Sequence, residues 1–385
     1  FGSRSSLRHS GPACAPSPFL RSRSRPPPKM AELKETISTQ VTKLFGIKHP
    51  IILAGMNVAA GPELAAAVTN NGGLGVIGGV GYTPKMLQTN IDELKAGLKD
   101  KNAPFGVDLL LPKVGEGARA TNYDYTHGTL PELVDIIIKN GAKLFVSAVG
   151  VPPKWAVDKL HAAGIPVMNM IGAPKHVQYA IDAGCDLICA QGGEGGGHTG
   201  EVATSILIPK VVDLCRGKTS KLTGGPILVV AAGGIFDGRG LASALSYGAG
   251  AVWVGTRFVA CEEAGAPPRH KKGTVQAGYH DTIRTIIFTG RPMRVIKNEY
   301  IMGWEDNRAS EIKALTNKGV LPVYYDMEER KKKGEEMKIS EVQPLLIGQA
   351  AGAIDEVKPC AAIMTEMVTG AIESLRGASA QISKL

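Results

Sequence analysis

Short apolar runs alternate with longer amphipathic stretches from Pro50 onward. The apolar runs are continuous, and continuous runs are typical of parallel strands that helices cover on both faces. We therefore predict eight strands, at 51–54, 74–77, 105–109, 144–148, 167–170, 187–190, 227–231 and 251–254.

The stretches between these strands have helical spacing, and several of them end at a glycine just before the next strand. Gly141, Gly164 and Gly184 are examples, spaced 23 and 20 residues apart. Glycine can take the left-handed conformation that ends a helix without a Cβ clash. Eight copies of such a βα unit predict an α/β fold of the (β/α)8 TIM-barrel type. A doubly wound open sheet is the alternative.

The regular alternation stops after Cys261. Residues 262–342 contain helical stretches with no strand partner, and they predict a smaller, mostly helical domain inserted after strand eight. An apolar helix at about 354–375 then predicts a return to the barrel. The expected organisation is a barrel at 30–261, an inserted substrate or lid domain at 262–342, and a closing helix within 343–385.

The charge of the chain is concentrated at its beginning. Residues 1–29 contribute +6 of the formal net charge of +9, which leaves +3 for all the rest. This Arg-, Ser- and Pro-rich segment is predicted to be a disordered leader or a transit-like segment. A nearly neutral body argues against nucleic-acid binding, and no apolar run reaches the ~18 residues of a membrane span. A cytoplasmic protein is expected, or a mitochondrial one if 1–29 is a transit peptide.

The cysteines give no sign of a disulfide framework or a metal site. The six cysteines are scattered, without a CxxC pair or a Cys/His ligand spacing. Most lie in apolar stretches and are interpreted as small buried side chains. No metal is predicted.

Barrel enzymes build their active sites from the loops at the carboxyl ends of the strands. Gly233-Gly234 and Gly255-Thr256 follow strands seven and eight, where bare backbone N–H groups suit a phosphate. This pattern predicts a phosphate site but does not identify the ligand. The other rim positions are Gly55-Met56-Asn57 after strand one, Asp108 at the end of strand three, Asn169 in strand five and Gln191 at the end of strand six.

The loop after strand six, residues 191–200, is the most specific feature. Six of its ten residues are glycine, and His198 lies among them. An imidazole with an ordinary pKa of ~6.5 can accept a proton at neutral pH, so His198 is the predicted catalytic base. Glu194 is a second acid/base candidate, or it turns to solvent or caps the next helix. Six other histidines fall on predicted helices, at strand starts or in the insert: His49, His127, His161, His176, His270 and His280.

Taken in order, these motifs resemble the nitronate monooxygenase family. The likeness runs from about Phe45 to Cys261 and resumes at 290–292 and 347–349. It implies an FMN cofactor held by Gly55, Met56, Asn57, Gln191, Gly233, Gly234, Gly255 and Thr256, and we add Asp108, Asn169 and Gly196 to the predicted cofactor site. Family members typically carry Asp where Gln191 stands and Lys near Asn169, so the chain departs from part of the family at both positions.

The resemblance implies oxidation of alkyl nitronates, and of nitroalkanes, by oxygen to a carbonyl compound and nitrite. His198 would take the α proton of a nitroalkane or stabilise the charge of a nitronate. The expected partners are therefore small molecules, with no nucleic acid or membrane, and a homodimer is left open.

Three other functions remain open from the sequence. An NAD(P)H-dependent flavin reductase of the enoyl-acyl-carrier or quinone type would share the histidine loop and the phosphate site. An inosine-phosphate dehydrogenase type needs a nucleophilic cysteine at a loop tip, and Cys185 and Cys189 instead flank or lie in strand six. A non-catalytic flavin-binding protein leaves His198 without a role.

Overall fold

A computed structural model describes residues 35–111, 120–335 and 337–383. The leader predicted at 1–29 lies outside these residues. Within them, strands and helices alternate from Ile51 to Val254 as the apolar pattern predicts. No helix in these ranges is long and apolar enough to cross a membrane.

All eight predicted strands are present, with bounds within two residues of those expected. They are β1 (Ile51–Leu53), β2 (Gly75–Gly79), β3 (Phe105–Leu110), β4 (Leu144–Ala148), β5 (Val167–Ile171), β6 (Leu187–Gln191), β8 (Leu228–Ala232) and β9 (Ala251–Val254). A further two-residue strand, β7 (Gly197–His198), lies in the glycine-rich loop and outside this sheet.

The eight strands form one parallel sheet in the spatial order β1-β9-β8-β6-β5-β4-β3-β2. Its two ends meet through a parallel bridge between Ile52 and Leu74. The N–H of Leu53 donates to the carbonyl of Leu74 over 3.0 Å, and the N–H of Leu74 donates to the carbonyl of Ile51 over 3.0 Å. The sheet is therefore closed as a (β/α)8 barrel, and the open-sheet alternative is wrong.

Helices connect the strands and cover the outside of the barrel. Those following the barrel strands are α2 (Pro62–Asn70), α3 (Pro84–Gly97), α4 (Leu130–Lys139), α5 (Lys154–Ala162), α6 (Val177–Asp182), α7 (Thr204–Cys215) and α8 (Gly238–Ser246), and the short α1 (Gln40–Phe45) precedes β1. Gly141, Gly164 and Gly184 have φ of +71°, +73° and +97° at the ends of α4, α5 and α6. The glycines thus end these helices in the left-handed conformation, as predicted.

Side chains alternate between two cores because successive residues of a strand face opposite ways. Ile52, Val146, Met168, Leu187 and Trp253 pack inside the barrel. The larger cluster lies between the sheet and its helices, and it includes residues from α2, α4 and α7. Each large aliphatic side chain buried there contributes about 1.5–3 kcal/mol, so the helix layer is held mainly by its apolar faces.

The segment after β9 contains several helices, and it also contains a β-hairpin that the sequence did not indicate. Its helices are α9 (Thr256–Val259), α10 (Pro268–Gln276), α11 (Glu299–Asn307), α12 (Ala309–Asn317), α13 (Pro322–Lys332) and α14 (Ile339–Val342), and its strands are β10 (Thr282–Thr285) and β11 (Met293–Ile296). The strand β11 pairs antiparallel with β10 on one side and with β7 on the other. The hairpin is therefore attached to the histidine loop at the mouth of the barrel.

The last helix, α15 (Cys360–Ser379), packs against α8 and α2 and completes the ring of eight helices. It begins a few residues later than the predicted helix at 354–375, because Lys358 forms a parallel bridge with Cys261 and Pro359 is extended at the N-cap. The division of the chain into barrel, insert and closing helix stays a prediction.

The crossing of α8 and α15 generates a test of packing. A Cβ on Gly238 would lie 2.4 Å from the backbone N of Ala371 and 2.5 Å from the carbonyl carbon of Gly370. Backbone atoms cannot rotate away, so Gly238→Ala should lower the free energy of unfolding by about 1–3 kcal/mol in urea denaturation.

The matched control is Gly377→Ala in α15, where an added Cβ meets nothing within 4 Å. That variant should gain up to about 1 kcal/mol from helix propensity. Equal effects of the two substitutions would contradict the close approach of the two helices.

Candidate active site

The carboxyl ends of the barrel strands bring most of the predicted site residues to one rim. A Cβ on Gly55 would lie 2.3 Å from Oδ2 of Asp108, so only glycine lets the β1 loop approach this carboxyl group. A Cβ on Gly255 would contact the Met56 sulfur at 3.5 Å. Asn57 has a φ of +50° and is exposed at the start of a 3₁₀ turn. The loops after β1 and β9 thus meet at the carboxyl end of β3.

Backbone amides converge at the predicted phosphate site. Gly233 and Gly234 follow β8 with φ of +95° and +71°, and Gly255 follows the adjacent strand β9. Within the described ranges, no group accepts a hydrogen bond from the backbone N–H of Gly233, Gly234 or Gly255. Three such donors at neighbouring strand ends form a cradle for an anion.

The glycine-rich loop folds against residues 347–348, which come just before the 3₁₀ turn at Gln349–Ala353. Gln191 donates from Nε2 to the carbonyl of Gly196 over 3.2 Å. A Cβ on Gly196 would lie 2.6 Å from the carbonyl carbon of Ile347, so this close contact requires glycine. The N–H of Gly348 donates to Oγ1 of Thr256 over 2.9 Å. The loops after β6 and β9 are thereby connected through residues 347–348.

Glu194 serves as a cap and not as an acid/base group. Its carboxylate oxygens accept from the backbone N–H of Thr204 at 3.0 and 3.1 Å and from the Thr204 hydroxyl at 2.8 Å. Thr204 is the first residue of α7, where an acceptor satisfies unpaired N–H groups and a negative charge is favourable. Of the three roles considered for Glu194, helix capping is the one that the structure shows.

His198 is held in place by the hairpin. In the antiparallel ladder between β7 and β11, His198 pairs with Met293 and Gly197 pairs with Arg294. The Nε2 atom of His198 lies 3.1 Å from Oγ1 of Thr289, and the same hydroxyl lies 3.2 Å from the carbonyl of Arg291. The hydroxyl has one proton and can donate it to either group, so Thr289 holds the ring at Nε2 in either tautomer.

The imidazole of His198 is neutral at physiological pH. Burial, together with the positive charge of Arg291, lowers its pKa to about 4. The guanidinium group of Arg291 donates from Nε to Oδ1 of Asn122 and from Nη1 to the carbonyl of Val149, each over 3.0 Å. A neutral base thus lies close to a fixed cation, an arrangement that suits a substrate gaining negative charge as it loses a proton.

The turn after β4 provides the carbonyl of Val149 as an acceptor for Arg291, and the backbone of this turn is strained. Val149 has a φ of +69°, which is unfavourable for a β-branched residue and typically costs about 1–3 kcal/mol. Asn169 holds this turn by donating from Nδ2 to the carbonyls of Ser147 and Gly150 over 2.9 and 2.7 Å. The amide donors of Asn169 therefore act within the protein, and its predicted contact with a cofactor stays a prediction.

Asp108 is a buried carboxyl group at the mouth of the barrel. It is 1% exposed, and its Oδ1 has no hydrogen-bond partner within the described ranges. Burial raises the pKa of Asp108 to about 8, so the group is protonated at neutral pH and can donate a hydrogen bond. An orphaned donor at this position is suited to a polar ring edge of a ligand.

The sequence pattern singles out His198, whose catalytic role stays a prediction, but it does not indicate Thr289 and Arg291 as its neighbours. Both residues lie in the loop between β10 and β11, which was expected to be part of a helical insert. In the sequence, the Gly290-Arg291-Pro292 motif indicates only the family resemblance. A signal was present in the alternation of Met293 and Val295, both buried, with polar or half-buried neighbours.

A family model described as nitronate monooxygenase matches residues 38–370. The chain belongs to the nitronate monooxygenase family. It is accordingly an enzyme, a flavin-dependent oxidoreductase on a TIM barrel.

Relatives in and around the nitronate monooxygenase family differ in what their names describe. The chain is 34% identical over 377 residues to (3aS,4S,5R,7aS)-5-hydroxy-7a-methyl-1-oxo-octahydro-1H-indene-4-carboxyl-CoA dehydrogenase of Mycobacterium tuberculosis, covering 90% of this chain and 99% of that protein. It is 34% identical over 300 residues to a probable nitronate monooxygenase of Staphylococcus saprophyticus, covering 69% of this chain and 80% of that protein. The solved structure of FabK from Thermotoga maritima matches with a TM-score of 0.70 and 32% identity, covering 90% of this chain and all of that one.

The residues at the rim fit a flavin. The amides of Gly233, Gly234 and Gly255 suit the phosphate end, and the unpartnered acid of Asp108 suits a polar edge of the ring system. The flavin supplies the electron acceptor for the reaction, and the protein supplies position and charge.

The raised pKa of Asp108 makes stability depend on pH in a predictable direction. The folded protein keeps the Asp108 proton up to about pH 8, whereas the unfolded chain releases it near pH ~4. The free energy of unfolding of the flavin-free protein should therefore fall by about 2–3 kcal/mol from pH 6 to pH 8 on account of this group.

Asp108→Asn should remove that part of the fall in urea denaturation, and the control Asp182→Asn, on the exposed surface of α6, should leave it in place. If the free energy of unfolding of Asp108→Asn falls with pH as steeply as that of the wild type, Asp108 is already ionised in the folded protein.

Proposed function

We propose that this chain binds FMN and oxidises a substrate at a carbon that carries an acidic proton, with a coenzyme A thioester as the first candidate substrate. The observation that carries the proposal is the neutral His198, hydrogen-bonded to Thr289 and lying close to Arg291. A base and a cation side by side favour removal of a proton next to a group that can take up the negative charge.

The division of labour between the two side chains follows from their charges. A base whose pKa is about 4 is neutral over the whole physiological range, but it is a weak base. The same Arg291 charge that disfavours protonated His198 favours an anionic substrate, so stabilisation of that anion must supply much of the driving force. The imidazole of His198 would receive the α proton, while Thr289 fixes the ring.

FMN is proposed as the flavin because the rim offers a phosphate cradle. Gly233, Gly234 and Gly255 present backbone amides at the ends of β8 and β9. The predicted contacts of Gly55, Met56, Asn57, Gln191, Gly196 and Thr256 with the flavin belong to this proposal.

The extent of the match supports the thioester as the substrate class. The match to the carboxyl-CoA dehydrogenase covers 99% of that protein, against 80% of the probable nitronate monooxygenase, at equal identity. An enolate of a thioester and a nitronate are both anions next to the reacting carbon, so the site chemistry suits either one.

Oxidation of nitronates or nitroalkanes by oxygen, giving a carbonyl compound and nitrite, is the second candidate. The match of the family model over residues 38–370 favours it. With a nitronate as substrate no proton has to be removed, and Arg291 and His198 would stabilise charge. The inosine-phosphate dehydrogenase type needs a reactive thiolate and is disfavoured. Burial raises the pKa of the Cys185 and Cys189 thiols, so both stay protonated and unreactive.

Anaerobic reduction of the flavin tests these alternatives. Purified holoenzyme is mixed separately with a panel of saturated acyl-CoA thioesters, with propyl nitronate and with NADH, and bleaching of flavin absorbance is followed. Bleaching by a thioester supports the proposal, and bleaching by nitronate alone supports the second candidate. Rapid bleaching by NADH alone would favour a flavin reductase, and no bleaching by any donor would refute the proposed function.

The acid limb of the pH–rate profile should report His198. Because its pKa is about 4, proton abstraction should stay constant from pH 8 down to about pH 5 and then fall as the imidazole becomes protonated. His198→Asn should lower turnover of substrates that must lose a proton, neutral nitroalkanes included, by ~10²-fold or more while FMN stays bound. An acid limb near pH 6.5, or unchanged turnover in His198→Asn, would contradict the assignment.

Thr289 is a positioning residue for this base. Thr289→Val removes the hydroxyl that lies 3.1 Å from Nε2 of His198 and orients its ring, so kcat should fall by about tenfold. Thr289→Ser keeps the hydroxyl and should restore most of the rate. If Thr289 has only a structural role, Thr289→Val should leave the acid limb of the pH–rate profile in place. Loss of a hydrogen bond to the base should move that limb.

A further inference from the structure

A pair of arginines lies on the face of the hairpin opposite to His198. Arg284 of β10 and Arg294 of β11 are directly opposed in the antiparallel ladder, so their side chains project from the same face. Gly197 is the next residue in register on β7, and it has no side chain to cover them. His198 pairs with Met293 and therefore faces the other way.

The two positive charges are costly to hold together. Like charges at directly opposed positions destabilise a sheet. Burial lowers the pKa of Arg294, and the charge of Arg284 lowers it further, while the charge of Glu194 acts in the opposite direction. The fold therefore keeps a cation pair that a bound anion would stabilise.

Among the described residues, partners exist for only some of the hydrogen-bond donors of these two arginines. Arg294 donates from Nε and Nη2 to the carbonyl of Gly193 over 3.2 and 2.9 Å and from Nη1 to Thr282 over 3.1 Å. Arg284 has one ion pair, at 3.2 Å with Glu201, whose side chain is 83% exposed. The buried Nε of Arg284 has no partner within the described ranges.

Neither nearby carboxylate is committed to neutralising the arginines. Glu194 already accepts three hydrogen bonds from Thr204 at the start of α7. Glu201 lies mostly in solvent, where an ion pair contributes about 0–1 kcal/mol and is readily displaced. A multiply charged anion could therefore replace Glu201 at Arg284.

We propose that the Arg284–Arg294 pair binds phosphate groups of a nucleotide-bearing substrate, namely the phosphorylated adenosine diphosphate part of coenzyme A or of NADPH. Guanidinium groups pair with phosphate oxygens through forked hydrogen bonds, and Arg284 retains unused donors. The inference rests on the proposed function, in which a thioester reaches His198 through the long pantetheine arm while its phosphates bind elsewhere. A small nitronate has no group for this site.

Binding without turnover tests the site directly. Calorimetric titration of the holoenzyme with coenzyme A, NADPH and pantetheine should give a dissociation constant for a phosphorylated ligand that rises about tenfold or more in Arg284→Gln. Pantetheine lacks phosphate, so its binding should not change. Weakening of coenzyme A assigns the phosphates to the substrate, and weakening of NADPH alone assigns them to a nicotinamide cosubstrate.

Two further variants sharpen the result. Glu201→Gln removes the competing carboxylate and should tighten binding of the same ligand by about twofold to fivefold, without loss of fold because the side chain is exposed. Arg216→Gln removes an exposed arginine that pairs with Asp213 at the far end of α7, and it should bind as the wild type does.

The proposal is overturned if neither nucleotide binds to the wild type or if Arg284→Gln binds both as tightly as the wild type. It is also overturned if that variant loses pantetheine equally or releases FMN, since the arginines would then support the pocket or the flavin. Arg284-dependent binding of coenzyme A without flavin bleaching by any thioester would refute the proposed reaction and leave the phosphate site standing. Bleaching by a thioester, together with nucleotide binding that does not depend on Arg284, would support the proposed reaction and refute the phosphate site.

Discussion

Two backbone hydrogen bonds between Leu74 and β1 close the eight-stranded sheet, and the geometry of the rim depends on that closure. Each bond contributes only about 1 kcal/mol, but closure leaves the sheet without exposed edges and directs every carboxyl end to one side. Loops distant in sequence therefore meet there, and several approach so closely that only glycine fits, as at Gly55 and Gly196. The glycines at the rim follow from this convergence as much as from any ligand.

His198 is positioned by elements outside the barrel. The ladder between β7 and β11 fixes the backbone of His198, Thr289 fixes its ring, and Arg291 is fixed in turn by Asn122 and by the strained turn at Val149. Strain of this kind persists only where surrounding contacts determine it. The rim of the barrel thus combines loops of the closed sheet with a hairpin segment that supplies the positive charge of Arg291.

The barrel could be predicted from the sequence because its strands are buried on both faces and appear as continuous apolar runs. The hairpin could not, since β10 and β11 are four residues long and contain Arg284 and Arg294. Its partner β7 has two residues, which no periodicity reveals. Residue type alone also left the role of Glu194 open among acid/base group, solvated charge and cap, and the contacts that decide such roles are made by the folded chain.

The contact between His198 and Thr289 joins residues 91 positions apart and couples the barrel to a separate stretch of chain. Substitutions or insertions in the hairpin can therefore alter the environment of His198 without disturbing the barrel or the glycine amides at its rim. Such a division of the molecule lets one surface element change while the barrel stays as it is.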